Sequence, residues 1–204
     1  MLLTFLISFA ILIPAMTIHE FSHGWVAYKL GDPTAKYSGR LTLNPLAHID
    51  PIGTILLPLM LFISTQGRFV FGAAKPVPIN FMALRNPKRD IIWVGASGPL
   101  SNLLLAFLFS FILKLLPMPD ILSIIISQFV LINVVLGIFN LIPIPPLDGS
   151  RIIMGLLPNQ LSEKYAQIEP FGFIIIIALI WMGILNILVW PVVYLVLGLL
   201  GIGI

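Results

Sequence analysis

The sequence predicts an all-α polytopic membrane protein, with about five to six transmembrane or partly inserted helices and a small β element at the membrane surface. Of its 204 residues, 59% are hydrophobic and only 9% are charged, whereas a water-soluble globule needs far more charged surface. Apolar runs recur along the chain between short stretches rich in Pro, Gly or charge. No repeat or soluble domain interrupts this pattern, so we expect residues 1–204 to form one integral membrane domain.

The first apolar run predicts one long helix over residues 2–30, which ends at Gly31 and Pro33. Because its first 18 residues lack a basic start and a small-residue cleavage site, we interpret it as a retained transmembrane helix rather than a signal peptide. Short strands are predicted at residues 37–44 and 68–71. The apolar segment between them, 52–64, is too short to cross a bilayer straight and is expected to be re-entrant or a distorted helix.

The second half predicts membrane spans over residues 91–116 and 121–142, with prolines in the turn between them. A Pro-rich break over residues 143–150 excludes regular helix, and such backbone is tolerated near hydrocarbon only where it lines a protein or water cavity. A short helix over residues 151–157 and a polar loop follow. A further span is predicted over residues 171–190, and Pro191 is expected to open the last apolar piece.

The basic residues predict the topology. If residues 52–64 do not cross the membrane, ten of the eleven Lys and Arg residues lie on one face and only Lys114 lies on the other. This positive-inside bias makes the first face cytoplasmic. A net charge of +3 does not indicate nucleic acid binding here, because the basic residues flank apolar segments instead of forming a stripe. The ten residues are Lys29, Lys36, Arg40, Arg68, Lys75, Arg85, Lys88, Arg89, Arg151 and Lys164.

The most informative motif is His19-Glu20-Phe21-Ser22-His23, inside the first predicted helix. Residues at i and i+4 share a helix face, so His19 and His23 can bind one metal ion. Glu20 is then close enough to act on a water at that metal without binding it, as a general base for hydrolysis must. Ionisable side chains at membrane depth are costly and indicate a functional site. The chain has no cysteine, so a zinc site must use His and carboxylate ligands.

Asp148 is the candidate third ligand, because a catalytic zinc takes three protein ligands and leaves a position for water. It follows the Pro-rich break, where the backbone must face a cavity, although it could instead cap the next helix. His48 is the main rival; its surroundings resemble an interfacial turn, which favours a supporting or gating role. Asp32, Asp50, Asp90 and Asp120 are more simply helix caps or solvated charges.

Two asparagines are further candidates. Asn140 could donate a hydrogen bond to the oxyanion of a tetrahedral intermediate, or it could cap the helix before the prolines. Asn102 belongs to Gly98-Pro99-Leu100-Ser101-Asn102, which offers small residues for close helix packing. A pocket role for Asn102 is a weaker alternative.

Together, the HEFSH motif and the run from Asn140 through Pro143, Pro145 and Leu147 to Asp148 and Gly149 resemble the two signature motifs of the site-2 protease family of intramembrane zinc metalloproteases. The likeness covers about residues 10–160 and includes Gly98, Pro99 and Asn102. It is to a minimal form without a PDZ-like insert. It implies one Zn²⁺ bound by His19, His23 and Asp148, with Glu20 as catalytic base and Asn140 assisting the intermediate.

The function that the resemblance implies is cleavage of transmembrane segments of other membrane proteins. On this interpretation, residues 1–160 are the catalytic core and residues 168–204 are C-terminal membrane helices. We expect a multi-pass protein of a prokaryotic cell membrane, with the site nearer the cytoplasmic face, a transmembrane protein substrate and no nucleic acid partner. A zinc transporter or a structural metal-binding membrane protein is the alternative, and Glu20→Gln separates them. The sequence does not indicate the oligomeric state.

Overall fold

The structure is a computed structural model that describes residues 2–64, 72 and 74–203. Short 3-10 helices cover Pro45–His48 and Phe81–Ala83, and a π-helical turn covers Pro51–Leu56. The α-helices of the described part are, in chain order, α1 (Leu2–Lys29), α2 (Thr34–Tyr37), α3 (Leu57–Ser64), α4 (Pro87–Leu115), α5 (Asp120–Asn140), α6 (Asp148–Leu156), α7 (Asn159–Ala166), α8 (Glu169–Trp181) and α9 (Ile184–Leu199).

Helix α4 is the centre of the packing, because it contacts α1, α5 and α6. Its inward face is built of small or polar residues, among them Gly95, Gly98 and Asn102, whereas large apolar residues such as Trp93 and Phe107 are exposed. Small residues let helix backbones approach closely, and outward apolar side chains suit lipid. This arrangement brings α1 and α6 against the same stretch of α4.

Among the described residues, α4 and α5 are each long and apolar enough to cross a membrane. The pair α7 and α8, bent by 64°, adds a third crossing if it is one span. These helices fit an integral membrane protein of predominantly helical fold, as predicted. They do not confirm the expected number of five to six transmembrane or inserted segments.

The predicted β element is not confirmed, since no strand occurs in the part of the chain that the structure describes. Residues 39–43 form turns and bends instead. Gly39 has a φ of +66°, and the N–H groups of Arg40 and Leu41 both donate to the Ala35 carbonyl. Their hydrogen bonds therefore close the end of α2 and do not pair with a second strand. The strand predicted at residues 68–71 lies outside the described residues.

The C-terminal helices divide at a different place from the one predicted. Gly183, between α8 and α9, has a φ of +72°, and this left-handed conformation, which glycine adopts easily, ends the first helix. Pro191 lies inside α9. The predicted single span over residues 171–190 is therefore wrong, because the chain breaks at Gly183 and Pro191 does not open a new segment.

The helix after the Pro-rich break begins three residues earlier than predicted, at Asp148 instead of Arg151. Glycines set the position of this break. A Cβ on Gly172 of α8 would lie 2.5 Å from the Pro145 carbonyl carbon, and one on Gly149 would lie 2.5 Å from that of Leu141. The Tyr165 hydroxyl also donates to the Pro143 carbonyl at 2.6 Å. The break is thus packed tightly enough to fix where Asp148 points.

Candidate metal centre

His19 and His23 lie one turn apart on α1 and are both buried, with 7% and 6% of their surface exposed. Their Nε2 atoms are 3.1 Å apart. Both rings face α4, where a Cβ added to Gly98 would lie 2.6 Å from the His19 Nε2 atom. The absence of a side chain at Gly98 therefore provides the space in which the two Nε2 atoms meet.

The other nitrogen of the His23 ring is held by the backbone of α4. Its Nδ1 atom is 2.7 Å from the Val94 carbonyl oxygen. A carbonyl oxygen only accepts hydrogen bonds, so the His23 Nδ1 atom must carry the proton. In the neutral ring, the Nε2 atom then offers its lone pair to the space shared with His19.

The same argument applies to His19 through a chain of buried amides. Its Nδ1 atom is 2.6 Å from Oδ1 of Asn102. The Asn102 amide nitrogen donates to the Ala15 carbonyl at 3.2 Å and to Oδ1 of Asn133 at 2.9 Å. These two bonds fix which end of the amide faces His19, so Asn102 accepts and His19 donates. Such partners orient metal-binding histidines and set their tautomer.

Asp148 completes the cluster from the start of α6. Its Oδ2 atom is 3.0 Å from His19 Nε2, and its Oδ1 atom is 3.2 Å from His23 Nε2. Leu147 is the N-cap of α6 and Asp148 is its first helical residue, so Asp148 is not the cap, which was one alternative for it. Asp148 Oδ2 is buried without a hydrogen-bond partner. Three electron-pair donors thus converge in a buried space.

This donor set fits Zn²⁺. Ligand atoms about 2.0–2.2 Å from a tetrahedral zinc stand about 3.3 Å apart, close to the separations of 3.0–3.2 Å observed here. A proton on one ring would pair that ring with Asp148 and leave the second lone pair without a partner. A divalent cation can bind both imidazole Nε2 atoms and the Asp148 carboxylate at the same time. Among the described residues, His19, His23 and Asp148 form the one His and carboxylate cluster with this geometry.

Glu20 lies beside the cluster, where its Oε2 atom accepts a hydrogen bond of 2.8 Å from the Val77 N–H. Asn140, the last residue of α5, reaches the same space and donates to the Leu136 carbonyl at 3.0 Å. It therefore bonds back into its own helix, and Leu141 is the residue that ends that helix. No sequence pattern indicates a role for Val77, because its contribution is a backbone N–H, which every residue except proline has.

A cavity of about 340 Å³ opens onto these groups. It has both polar and apolar walls. Arg151 lies in its wall, ion-paired through both guanidinium Nη atoms with Glu169 of α8 and 5.4 Å from the Phe81 ring. The lining residues are His19, Glu20, His23, Pro76, Val77, Ile79, Phe81, Val94, Gly95, Asn140, Pro146, Asp148 and Arg151.

His48, the rival ligand, is not brought to the cluster. It is buried, and its Nε2 atom donates to the Thr42 carbonyl at 2.8 Å. Asp32 is also fully buried and accepts from the Thr34 and Asn80 N–H groups, so it anchors loops and is not a solvated charge. Asp90 is buried in the first turn of α4 and accepts from the N–H of Asn86, which is the N-cap residue of that helix.

A buried cluster of two histidines and an aspartate, beside a glutamate and a cavity, has the composition of a metal-dependent hydrolase site. Comparisons with known proteins agree. Residues 118–183 match the model of peptidase family M50. The chain is 42% identical over 189 residues to the Bacillus subtilis protein named "Putative zinc metalloprotease YwhC", covering 88% of this chain and 82% of that protein. It is 30% identical to "Putative zinc metalloprotease Rip2" of Mycobacterium tuberculosis over 190 residues, or 92% of this chain and 71% of the relative.

The chain therefore belongs to peptidase family M50, which confirms the resemblance to site-2 proteases drawn from its two motifs. An archaeal relative, "Putative zinc metalloprotease MJ0611" of Methanocaldococcus jannaschii, is 31% identical over 158 residues, covering 74% of this chain and 71% of that protein. No solved structure matches the chain significantly.

Proposed function

We propose that this protein is an intramembrane endopeptidase that cleaves transmembrane segments of other membrane proteins. Its family and the names of its relatives make it a zinc metalloendopeptidase with Zn²⁺ as cofactor. What we propose beyond this class is that cleavage takes place within the membrane. The observation that carries it is the placement of His19, His23 and Asp148, with the cavity, against α4, a helix long and apolar enough to cross a membrane.

His19, His23 and Asp148 are the residues that would hold the ion. Bound there, Zn²⁺ supplies the acidity that turns water into a nucleophile near neutral pH, and it polarises the substrate carbonyl. The protein contributes a fixed set of ligands. The Val94 carbonyl accepts from Nδ1 of His23, and the Asn102 side chain accepts from Nδ1 of His19. Both imidazole rings are therefore oriented before a substrate enters.

Glu20 is proposed as the general base and then the general acid. It lies next to the ligand His19 in sequence and lines the cavity, so it can take a proton from the attacking water and deliver it to the leaving amine. Asn140 is proposed to donate a hydrogen bond to the oxyanion as the carbonyl carbon becomes tetrahedral. Its amide nitrogen has a second hydrogen beyond the one given to Leu136.

A helical substrate must uncoil before cleavage, because its carbonyls are otherwise occupied by helix hydrogen bonds. The polar part of the cavity wall supports this step, since water and side chains there can bond to the freed backbone groups. The charge distribution supports a site nearer the cytoplasmic face of a prokaryotic cell membrane. The partners of the protein are then the lipid bilayer and a membrane protein substrate.

The test is to measure zinc content and cleavage of a panel of single-span substrates in detergent, with wild type and Glu20→Gln. We expect both proteins to contain one zinc ion per chain, and only the wild type to cut, at bonds inside the membrane-spanning segment. A transporter or scaffold would retain its function in Glu20→Gln as long as metal binds. Cleavage confined to soluble, unstructured peptides would contradict the intramembrane assignment.

A further inference from the structure

A short stretch of chain, Lys75–Asn80, runs past Glu20 and is held by residues distant in sequence. The Lys75 N–H donates to the His48 carbonyl at 2.9 Å, and the other bonds come from side chains. We refer to it as the strap. The Arg40 guanidinium donates to the Lys75 carbonyl at 2.7 Å and to the Pro76 carbonyl at 3.3 Å. At the other end, the Asn80 N–H donates to the buried Asp32 carboxylate at 2.7 Å. The strap is thus fastened on both sides of its midpoint.

At that midpoint, the Val77 N–H donates to Oε2 of Glu20 at 2.8 Å. Pro76 and Pro78 flank it, and proline has no N–H. Val77 is therefore the one backbone donor between residues 75 and 79, and it is directed at the candidate base. Two prolines also restrict the backbone on either side, which fixes the direction of that N–H.

The Val77 side chain fixes the register of the strap. It is 6% exposed and lies over Gly24, the residue after His23, where an added Cβ would be 3.0 Å from Val77 Cγ1. A larger residue at position 24 would push the strap away from α1. Two contacts therefore fix the position of Val77: its side chain packs on Gly24, and its N–H donates to Glu20.

We propose that the backbone N–H of Val77 is a positioning group for the catalytic base, and that the strap fastened by Arg40 and Asp32 exists to present it. Holding Oε2 of Glu20 removes rotamer freedom from the carboxylate and leaves Oε1 to take the proton. This inference rests on the proposed role of Glu20. It adds a determinant of turnover that lies outside both signature motifs and is supplied by main chain.

Hydrogen exchange of the full-length protein tests the contact without relying on activity. Because residues 76 and 78 are prolines, the Val77 amide can be followed alone between its neighbours at 75 and 79. We expect Glu20→Ala to speed its exchange tenfold or more, whereas Glu20→Gln, which keeps a side-chain oxygen acceptor, should speed it much less. Arg40→Gln should also speed it, by loosening the strap. Equal exchange in wild type and Glu20→Ala would overturn the proposal.

Kinetics then test whether the contact matters for turnover. Val77→Pro removes the N–H at a position already restricted to extended backbone by Pro78, and Val77→Ala removes most of the side chain but keeps the N–H. A hydrogen bond to a charged group contributes enough for a kcat on the order of tenfold lower in Val77→Pro than in Val77→Ala, with KM and zinc content alike. Equal kcat values would reject the positioning role.

The outcomes separate this inference from the proposed function. If Glu20→Gln remains active, the role of Glu20 as base fails, whatever the exchange data show. If Glu20→Gln is inactive but the two Val77 variants turn over equally, only the strap proposal fails. Should Val77→Pro lose its zinc or its fold, the exchange comparison of the Glu20 variants and Arg40→Gln decides the matter alone.

Discussion

The Oδ1 atom of Asn102 lies 2.6 Å from Nδ1 of His19, and both residues are buried. Asn102 in turn donates to Asn133, whose own amide nitrogen donates to the Phe129 carbonyl at 2.9 Å. A chain of oriented amides thus connects α5 and α4 to a ring on α1. It selects the tautomer of His19 that directs the Nε2 lone pair at Asp148.

The first prediction concerns this amide chain. Asn102→Ala removes the acceptor for His19, so the ring loses its orientation and zinc affinity should fall about 10–100-fold. Competition with a graded series of chelators measures it. Ser110→Ala is the matched control on the same helix, because the Ser110 hydroxyl donates within that helix, to the Phe107 carbonyl at 2.8 Å. Wild-type affinity in Asn102→Ala would show that the tautomer argument is wrong.

The second prediction uses the glycine that faces the two rings. Gly98→Ala would place a Cβ 2.6 Å from His19 Nε2, so the rings must move apart and stoichiometric zinc should be lost. Gly198→Ala in α9 is the control, since an added Cβ meets nothing within 4 Å there and Ala favours helix. Retention of one zinc per chain in Gly98→Ala would contradict the geometry of the site.

The third prediction concerns stability and metal. Without a cation, the two Nε2 lone pairs face the Asp148 carboxylate, so chelation should lower the Tm of the wild type by several degrees. In Asp148→Asn, the new amide can donate to one ring nitrogen, and a neutral group replaces the carboxylate. We expect this variant to bind little zinc and its Tm to be insensitive to chelators. A chelator-induced shift equal to that of the wild type would show that Asp148 is not a ligand.

The fourth prediction tests the ion pair of Arg151 and Glu169, which ties the helix carrying Asp148 to α8. A double-mutant cycle with Arg151→Ala and Glu169→Ala should give a coupling free energy of about 0.5–3 kcal/mol, because neighbouring charged groups are not additive. The single variants should also lower kcat, since Arg151 lines the cavity. Additive effects on the free energy of unfolding would mean that the pair does not join the two helices.

The sequence was sufficient for the helix that carries the HEFSH motif and for the spans at α4 and α5, because long apolar runs bounded by prolines and polar residues leave few alternatives. Prediction from the sequence failed where local backbone geometry determines the structure. Gly183 divides the C-terminal helices through a positive φ, which no composition pattern distinguishes from an ordinary glycine. Residues 39–43 alternate like a strand, but the Arg40 and Leu41 N–H groups bond to the Ala35 carbonyl.

In the candidate site, too, some groups can be predicted from the sequence and others cannot. Side chains with a distinctive chemistry, such as His19 and Asp148, were identifiable by type and spacing, although their meeting depends on the packing of α6 against α4. Asn102 carried only a weak signal, because a buried amide on a helix has the same pattern whether it packs or orients a ligand. The Val94 carbonyl and the Val77 N–H are main-chain groups, so only their placement in the fold reveals them.

Zinc X-ray absorption on the purified protein tests the central claim most directly, with metal content measured on the same sample. We expect one zinc ion per chain, with two imidazole nitrogens and the remaining ligands oxygen. Glu20→Gln should leave this spectrum unchanged while abolishing cleavage, and Asp148→Asn should lose most of the metal. Substoichiometric zinc in active wild-type protein, or a zinc environment with fewer than two imidazoles, would contradict the assignment of His19, His23 and Asp148 as the metal ligands.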